Sequence, residues 1–163
     1  MAALPILQFG NPALREKSKR VTTLSDSIQK LIDDMIDTMQ SANGAGLAAP
    51  QVGKLLRIIV IQMPDEEPFA LINPEVVKKS GERIVTEGCL SFPGRRADIT
   101  RAVNVTCKGL DRRGKEVRIK ANDLLAQALE HEIDHLNGVL YIDYLESEDQ
   151  LQTVAPQEVE EPA

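Results

Sequence analysis

The chain contains two histidines, four positions apart, with a glutamate beside the first: His131-Glu132-Ile133-Asp134-His135. Residues at i and i+4 share one face of an α-helix, so both imidazoles can reach a single divalent metal ion. Glu132, one step round the helix, then lies beside a metal-activated water and can take its proton as general base. Two solvated surface histidines are the plain alternative, and the flanking pattern speaks against it. Leu124, Leu125, Ala128, Leu129, Ile133 and Leu136 make a stripe of helical period between Asn122 and Asn137, and both histidines fall on or beside it. A histidine aimed at a core is hydrogen-bonded there or bound to something, and two at ligand spacing favour the second. Asn122 or Asp123 can cap the start of this helix, and Gly138 supplies a left-handed stop.

A catalytic zinc-type site needs three protein ligands and one open position. No third histidine exists: Tyr141 stands where a metzincin would place one. Glu146 and Glu148 follow too closely to act as the downstream glutamate of a thermolysin-like site. Two cysteines remain. Cys107 ends Val103-Asn104-Val105-Thr106-Cys107, where alternation puts it on the apolar face of a strand as a small hydrophobe. Cys89 lies in Glu87-Gly88-Cys89-Leu90-Ser91-Phe92-Pro93, between a glycine and a proline turn, where backbone can approach something closely. Cys89 is the better ligand, and on this segment alone a buried structural thiol is its competing role. No signal peptide precedes Met1-Ala-Ala-Leu-Pro, so reduced thiols are expected rather than a Cys89–Cys107 disulfide. A closed zinc site would have to recruit Cys107 from the core, so an open site is the simpler account.

Gly44-Ala45-Gly46-Leu47-Ala48-Ala49 has the letters of a dinucleotide fingerprint, but that motif must follow a strand and open a helix. Here it follows an amphipathic helix marked by Ile28, Leu31, Ile32, Met35, Ile36 and Met39, and Pro50 arrives where a second helix would have to continue. Nucleotide binding is therefore rejected. Taken alone, the segment reads first as an ordinary helix-to-strand turn. Its second reading is a loop that bares backbone to a ligand and ends in Gln51, whose side-chain amide can donate to a developing oxyanion.

Taken together, Gly44-Ala-Gly-Leu-Ala-Ala-Pro-Gln51, Glu87-Gly-Cys-Leu-Ser91 and His131-Glu-Ile-Asp-His135 resemble the three signature motifs of peptide deformylases, in order and at compatible spacing. The likeness runs over most of residues 4 to 145, including the Asn11-Pro12 turn and the run from Gly138 to Asp143. The resemblance implies an α+β fold, with antiparallel β-sheets packed around a central metal-binding HExxH helix and an N-terminal amphipathic helix. It implies one divalent metal per chain on Cys89, His131 and His135. Fe2+ is the expected ion, and Zn2+, Ni2+ or Co2+ can substitute. By the same resemblance Glu132 serves as base and then acid, while Gln51 and the backbone N–H of Leu90 steady the oxyanion. Gly44, Ala45 and Gly46 would meet the substrate backbone, Glu87 would hold the loops by hydrogen bonding, and Arg96 would reach the same network. The substrate would be the N-formylmethionyl end of nascent polypeptides. Glu130, where the family usually has glutamine, is expected to point to solvent, and Ala45 is smaller than the family's usual branched residue.

Two other readings compete. A metallopeptidase shares the helix motif, but a formyl group asks for a pocket with no room for an acyl side chain. A non-catalytic metal-binding module would not require Glu132, which is no ligand.

The elements that must position these residues are short. Strands are expected over Leu56–Gln62, Phe69–Val77, Glu82–Leu90, Ala102–Lys108 and Glu116–Lys120, with tight turns that favour antiparallel pairing. At 163 residues and 42% hydrophobic content, one compact catalytic domain over residues 1–145 is expected. The net charge of −6 resides in residues 146–163, which hold six acids and no Lys or Arg; the body is formally neutral. A short helix and then disorder are expected in that acidic tail. With a neutral body and no tryptophan, neither nucleic acid nor membrane is an expected partner. A ribosome contact, if made, would not use a basic C-terminal helix. Bacterial cytosol is the expected location, and a processed organellar enzyme would read the same.

Overall fold

A computed structural model describes residues 3–153. Its elements run α1 (Asp26–Ser41), β1 (Gly46–Ala48), β2 (Ile58–Ile61), β3 (Phe69–Ser80), β4 (Arg83–Cys89), β5 (Phe92–Arg101), β6 (Asn104–Leu110), β7 (Glu116–Asn122), α2 (Asp123–Leu136) and β8 (Gln152–Thr153). Every strand pair is antiparallel, in one sheet ordered β1-β2-β3-β6-β7 and a second ordered β4-β5-β8. This is the α+β class expected.

Ser25 caps α1, its Oγ accepting from the Ile28 N–H at 3.3 Å, and the stripe seen in the sequence turns inward. Ile32, Met35 and Met39 are fully buried against Ile58, Val60, Ala70 and Ile72. α2 lies on the opposite face of the large sheet, where Ala128, Leu129, Ile133 and Leu136 meet Ile59, Ile61, Val105 and Cys107. β2 is thus buried on both faces, which is why it reads as the unbroken apolar run Ile58-Ile-Val-Ile61 rather than an alternation. Cys107 is fully buried in this core, as its strand position implies.

Three expectations need correction. The segment around Gly46 is not all loop: Gly46–Ala48 pairs with β2 as an edge strand. Three residues are too few to show a period of two, so only the neighbouring strand reveals it. β5 was not expected, because Pro93, Gly94 and the run of arginines disfavour a strand. The hairpin with β4 overrides that composition, joining Arg83 to Arg101 and Cys89 to Phe92 and burying Ala97 and Ile99. Asn122 occupies the cap position of α2, but its side chain makes no capping hydrogen bond. The stop at Gly138 is as read, with φ +74°; a Cβ there would also collide with the Arg15 carbonyl.

After residue 145 the expected short helix is a single 3-10 turn, Glu148–Gln150, followed by β8 against Arg95 and Arg96 of β5. The disorder expected further on falls on residues 154–163, outside the described residues.

Candidate metal centre

α2 carries both histidines into the interior, where His131 and His135 are 5% and 1% exposed. The end of β4 delivers Cys89 to the same point, just before the two-residue turn at Leu90 and Ser91 reverses the chain into β5. One ligand atom from each of Cys89, His131 and His135 lies within 4.8 Å of the others, and Cys89 Sγ is 3.3 Å from His135 Nε2. Ligands at zinc-type bond lengths stand roughly 3.5 Å apart around a tetrahedron, so the three side chains need little adjustment to share one ion. His131 Nε2 and Glu132 Oε1 are buried without a hydrogen-bond partner among the described residues, as is His135 Nδ1. Unsatisfied buried nitrogen and oxygen facing a thiol are costly in an apolar interior, and a bound cation with its solvent relieves that cost. The donor set fits a divalent metal.

The supporting bonds explain the orientation. His131 Nδ1 lies 2.7 Å from Glu87 Oε1, which leaves Nε2 to face Cys89 and His135. Glu87 is in turn held by Arg101, with Nε to Oε2 at 2.7 Å and Nη2 to Oε1 at 2.8 Å. Burial alone would raise the Glu87 pKa; the charge of His131 and the bonds from Arg101 outweigh it and hold the group at about 2. Arg101 also donates to Asp134 Oδ2 at 2.8 Å, and the Tyr144 hydroxyl donates to the same oxygen at 2.7 Å. The guanidinium thus clamps β5 to α2. Arg101, and not Arg96, is the arginine of this network; Arg96 lies across from Gln152 and its Nε has no partner among the described residues. The sequence carried no local signal for Arg101, because β5 was itself concealed and the residue's place is set by pairing with β4.

Burial lowers the His135 pKa well below its ordinary value, with His131 adding to the effect, which keeps its ring neutral as a ligand must be. Burial likewise pushes Glu132 up to about 8, against the opposing pull of His131. Gly46 packs so closely on this carboxylate that an added Cβ would sit 2.6 Å from Glu132 Oε2.

Gln51 is fully buried, and its amide orientation is fixed from both ends. Oε1 accepts from the Ala48 N–H at 2.9 Å, so Nε2 points toward Cys89 Sγ at 3.5 Å and Ser91 Oγ at 3.0 Å. Gly44 closes α1, donating to Met39 O at 2.9 Å, and the Ala45 carbonyl accepts from Gln62 at 2.9 Å. Glu130 does not face solvent. It is buried, accepts from the Ala102 N–H at 2.9 Å, and meets Lys79 at 3.5 Å. The connection from β5 to β6 crosses this part of α2, and its backbone donor needs an acceptor there. Tyr141 is buried with its ring 6.3 Å from His131, a packing neighbour rather than a ligand.

A buried thiol and two imidazoles, an unpaired carboxylate beside them and an oriented amide make the site of a metal-dependent hydrolase. Residues 3–151 match the family model described as polypeptide deformylase, and the chain belongs to that family. A peptide deformylase of Dehalococcoides mccartyi strain CBDB1 is 59% identical over 157 residues, covering 96% of this chain and 94% of the relative. The crystal structure of a peptide deformylase from Legionella pneumophila superposes with a TM-score of 0.88 at 45% identity, over 91% of this chain and 89% of that one. That of Ehrlichia chaffeensis, solved in complex with actinonin, gives 0.89 at 39% identity over 92% of each chain.

Proposed function

We propose that this enzyme removes the formyl group from the N-formylmethionyl end of nascent polypeptides, in the bacterial cytosol, with ferrous iron on Cys89, His131 and His135. The observation that carries the reading is the convergence of Gln51, Cys89, His131, Glu132 and His135, from three separate motifs, on one buried point. Residues 1–145 form the catalytic unit in this reading, and the acidic stretch 146–163 lies outside it.

A divalent ion held there supplies Lewis acidity, polarising the formyl oxygen and making water a nucleophile near neutral pH. Glu132 takes the proton of the attacking water at its unpaired Oε1 and hands it to the departing amine. Gln51 Nε2 and the Leu90 N–H donate to the oxygen on which negative charge develops. Because Ala48 already holds Gln51 Oε1, the amide is aimed before substrate arrives, at no reorganisation cost. β1 is an edge strand, so the backbone of Gly44, Ala45 and Gly46 borders the site where an extended peptide can lie alongside. Gly46, Gly88, Gln127 and Ala128 border a narrow crevice beside His131, and in this reading the methionyl side chain lies next to it. Glu87 fixes His131, and Arg96 on β5 contacts the rest of the peptide in this reading.

Formate release from N-formyl-Met-Ala, with enzyme purified anaerobically and loaded with Fe(II), tests this directly beside the N-acetyl analogue. Formate from the first and little attack on the second is the expected result. Cleavage of internal peptide bonds would move the chain to the metallopeptidases, and no turnover with metal bound would leave a binding module.

A further inference from the structure

α1 covers only part of its side of the large sheet. Ile58, Val60, Ala70, Ile72 and, at the end of β6, Leu110 pack with it, whereas the far half of β3, the start of β6 and the end of β7 carry no helix on that side among the described residues. Val105, Cys107 and Ala121 point to the α2 side, so their neighbours Asn104, Thr106, Lys120 and Asn122 point away from it into the open. Lys78, Thr106 and Lys120 are register partners across β3, β6 and β7 and form one row. Strand spacing sets Lys78 and Lys120 roughly 10 Å apart, and Arg118 follows about 7 Å along β7.

This face is concave, with a volume of about 530 Å³ and no acidic residue in its lining. Lys79 at its margin is engaged by Glu130, and Lys108 by Glu75. Lys78, Arg118 and Lys120 have no ion pair among the described residues. Residues 1–145 are formally neutral as a whole, yet the fold gathers Lys78, Arg118 and Lys120 on one face, with Glu116 at its end and Glu75 already paired with Lys108.

We propose that this uncovered sheet face docks the sugar–phosphate backbone of RNA. Three unpaired cations interleaved with Asn104, Thr106 and Asn122 offer charge together with hydrogen bonds, the combination that phosphate and ribose accept. No aromatic side chain lies in the lining, so bases are not read and binding is indifferent to sequence. A membrane surface fits less well: the face is hollow, and its one apolar group in the open is Val77, 39% exposed at a bulge, with nothing large to insert. The crevice at the metal centre lies on the α2 side, so RNA held here leaves it open to peptide. The inference does not depend on the reaction catalysed.

Fluorescence anisotropy with a short labelled oligouridylate, read across a salt series, tests it on the full chain. Three phosphate contacts predict a log–log salt slope of about −2, and Lys78→Glu/Lys120→Glu should cut it to under about −1 with an affinity loss on the order of tenfold. Lys17→Glu/Lys54→Glu, the same charge change on residues exposed elsewhere, should stay within about twofold. Formate release should be unchanged in both, which reports intact folding and separates this test from that of the reaction. If it falls in the first variant, Lys78→Gln/Lys120→Gln replaces it and the slope is read again. Equal losses in both double variants, no saturable binding at low salt, or binding to phosphatidylserine vesicles in place of RNA would overturn the proposal. So would unchanged RNA binding by a Lys78→Glu/Lys120→Glu protein that self-associates, since the cations would then only guard the β7 edge.

Discussion

Glu132 and Gly46 show how far a site can depend on what is missing from a side chain. Glu132 has a buried oxygen with no partner among the described residues, and in the proposed mechanism it accepts a proton and does not hold the metal. Glu132→Ala should therefore keep stoichiometric metal, measured by atomic absorption, and lose about 10²- to 10⁴-fold in formate release. Loss of metal and fold together would sink that division of roles. Gly46 has an ordinary backbone conformation; what matters is space, since its missing Cβ would lie 2.6 Å from Glu132 Oε2. In Gly46→Ala the carboxylate has to move. Turnover should fall at least about tenfold, as displaced catalytic groups do, while metal content and thermal midpoint stay near wild type.

At the scale of elements, the Glu87–Arg101 pair joins the small sheet to the metal helix. Both side chains are 2% exposed, so removing one strands a buried charge. Arg101→Met should cost about 3–5 kcal/mol in urea unfolding. With Glu87 no longer held, metal affinity at His131 should drop roughly 10- to 100-fold by competition with a chelator. Arg101→Lys keeps the charge but not the two-pronged bond, and should recover only part of each. Unchanged metal affinity in both would make the pair a structural clasp alone. The sequence exposed α1 and α2 through their apolar stripes, and β2 through its unbroken run. It concealed β1, which is too short for a pattern, and β5, whose Pro93, Gly94 and arginines are tolerated because β4 supplies the pairing.

For the molecule as a whole, the two layers around the large sheet bury Cys107 completely, and burial, with Glu130 adding, pushes its thiol up from the ordinary 9.0 to about 12. Above pH 9 the unfolded chain gives up this proton and the folded protein keeps it. Stability contributed by the protonated thiol is thus complete below pH 9 and is lost as pH rises toward 12. Between pH 8 and 10.5 the urea stability of the wild type should fall by up to about 2 kcal/mol more than that of Cys107→Ala. Parallel declines would mean that Cys107 ionises freely and the core is open to solvent.

The i, i+4 histidines with Glu132 can be read locally, because side-chain type and helical period are properties of a few neighbouring residues. Cys89 and the amide of Gln51, in contrast, are assigned through the joint resemblance of three motifs. The antiparallel class followed locally from short strands and tight turns. Other features depend on partners distant in the chain. Arg101 rather than Arg96 supports Glu87, Glu130 turns inward to serve the Ala102 N–H, and Lys78 and Lys120 come together on an uncovered face. Each is settled by strand register and by what packs opposite, and a linear sequence carries no local signal for either.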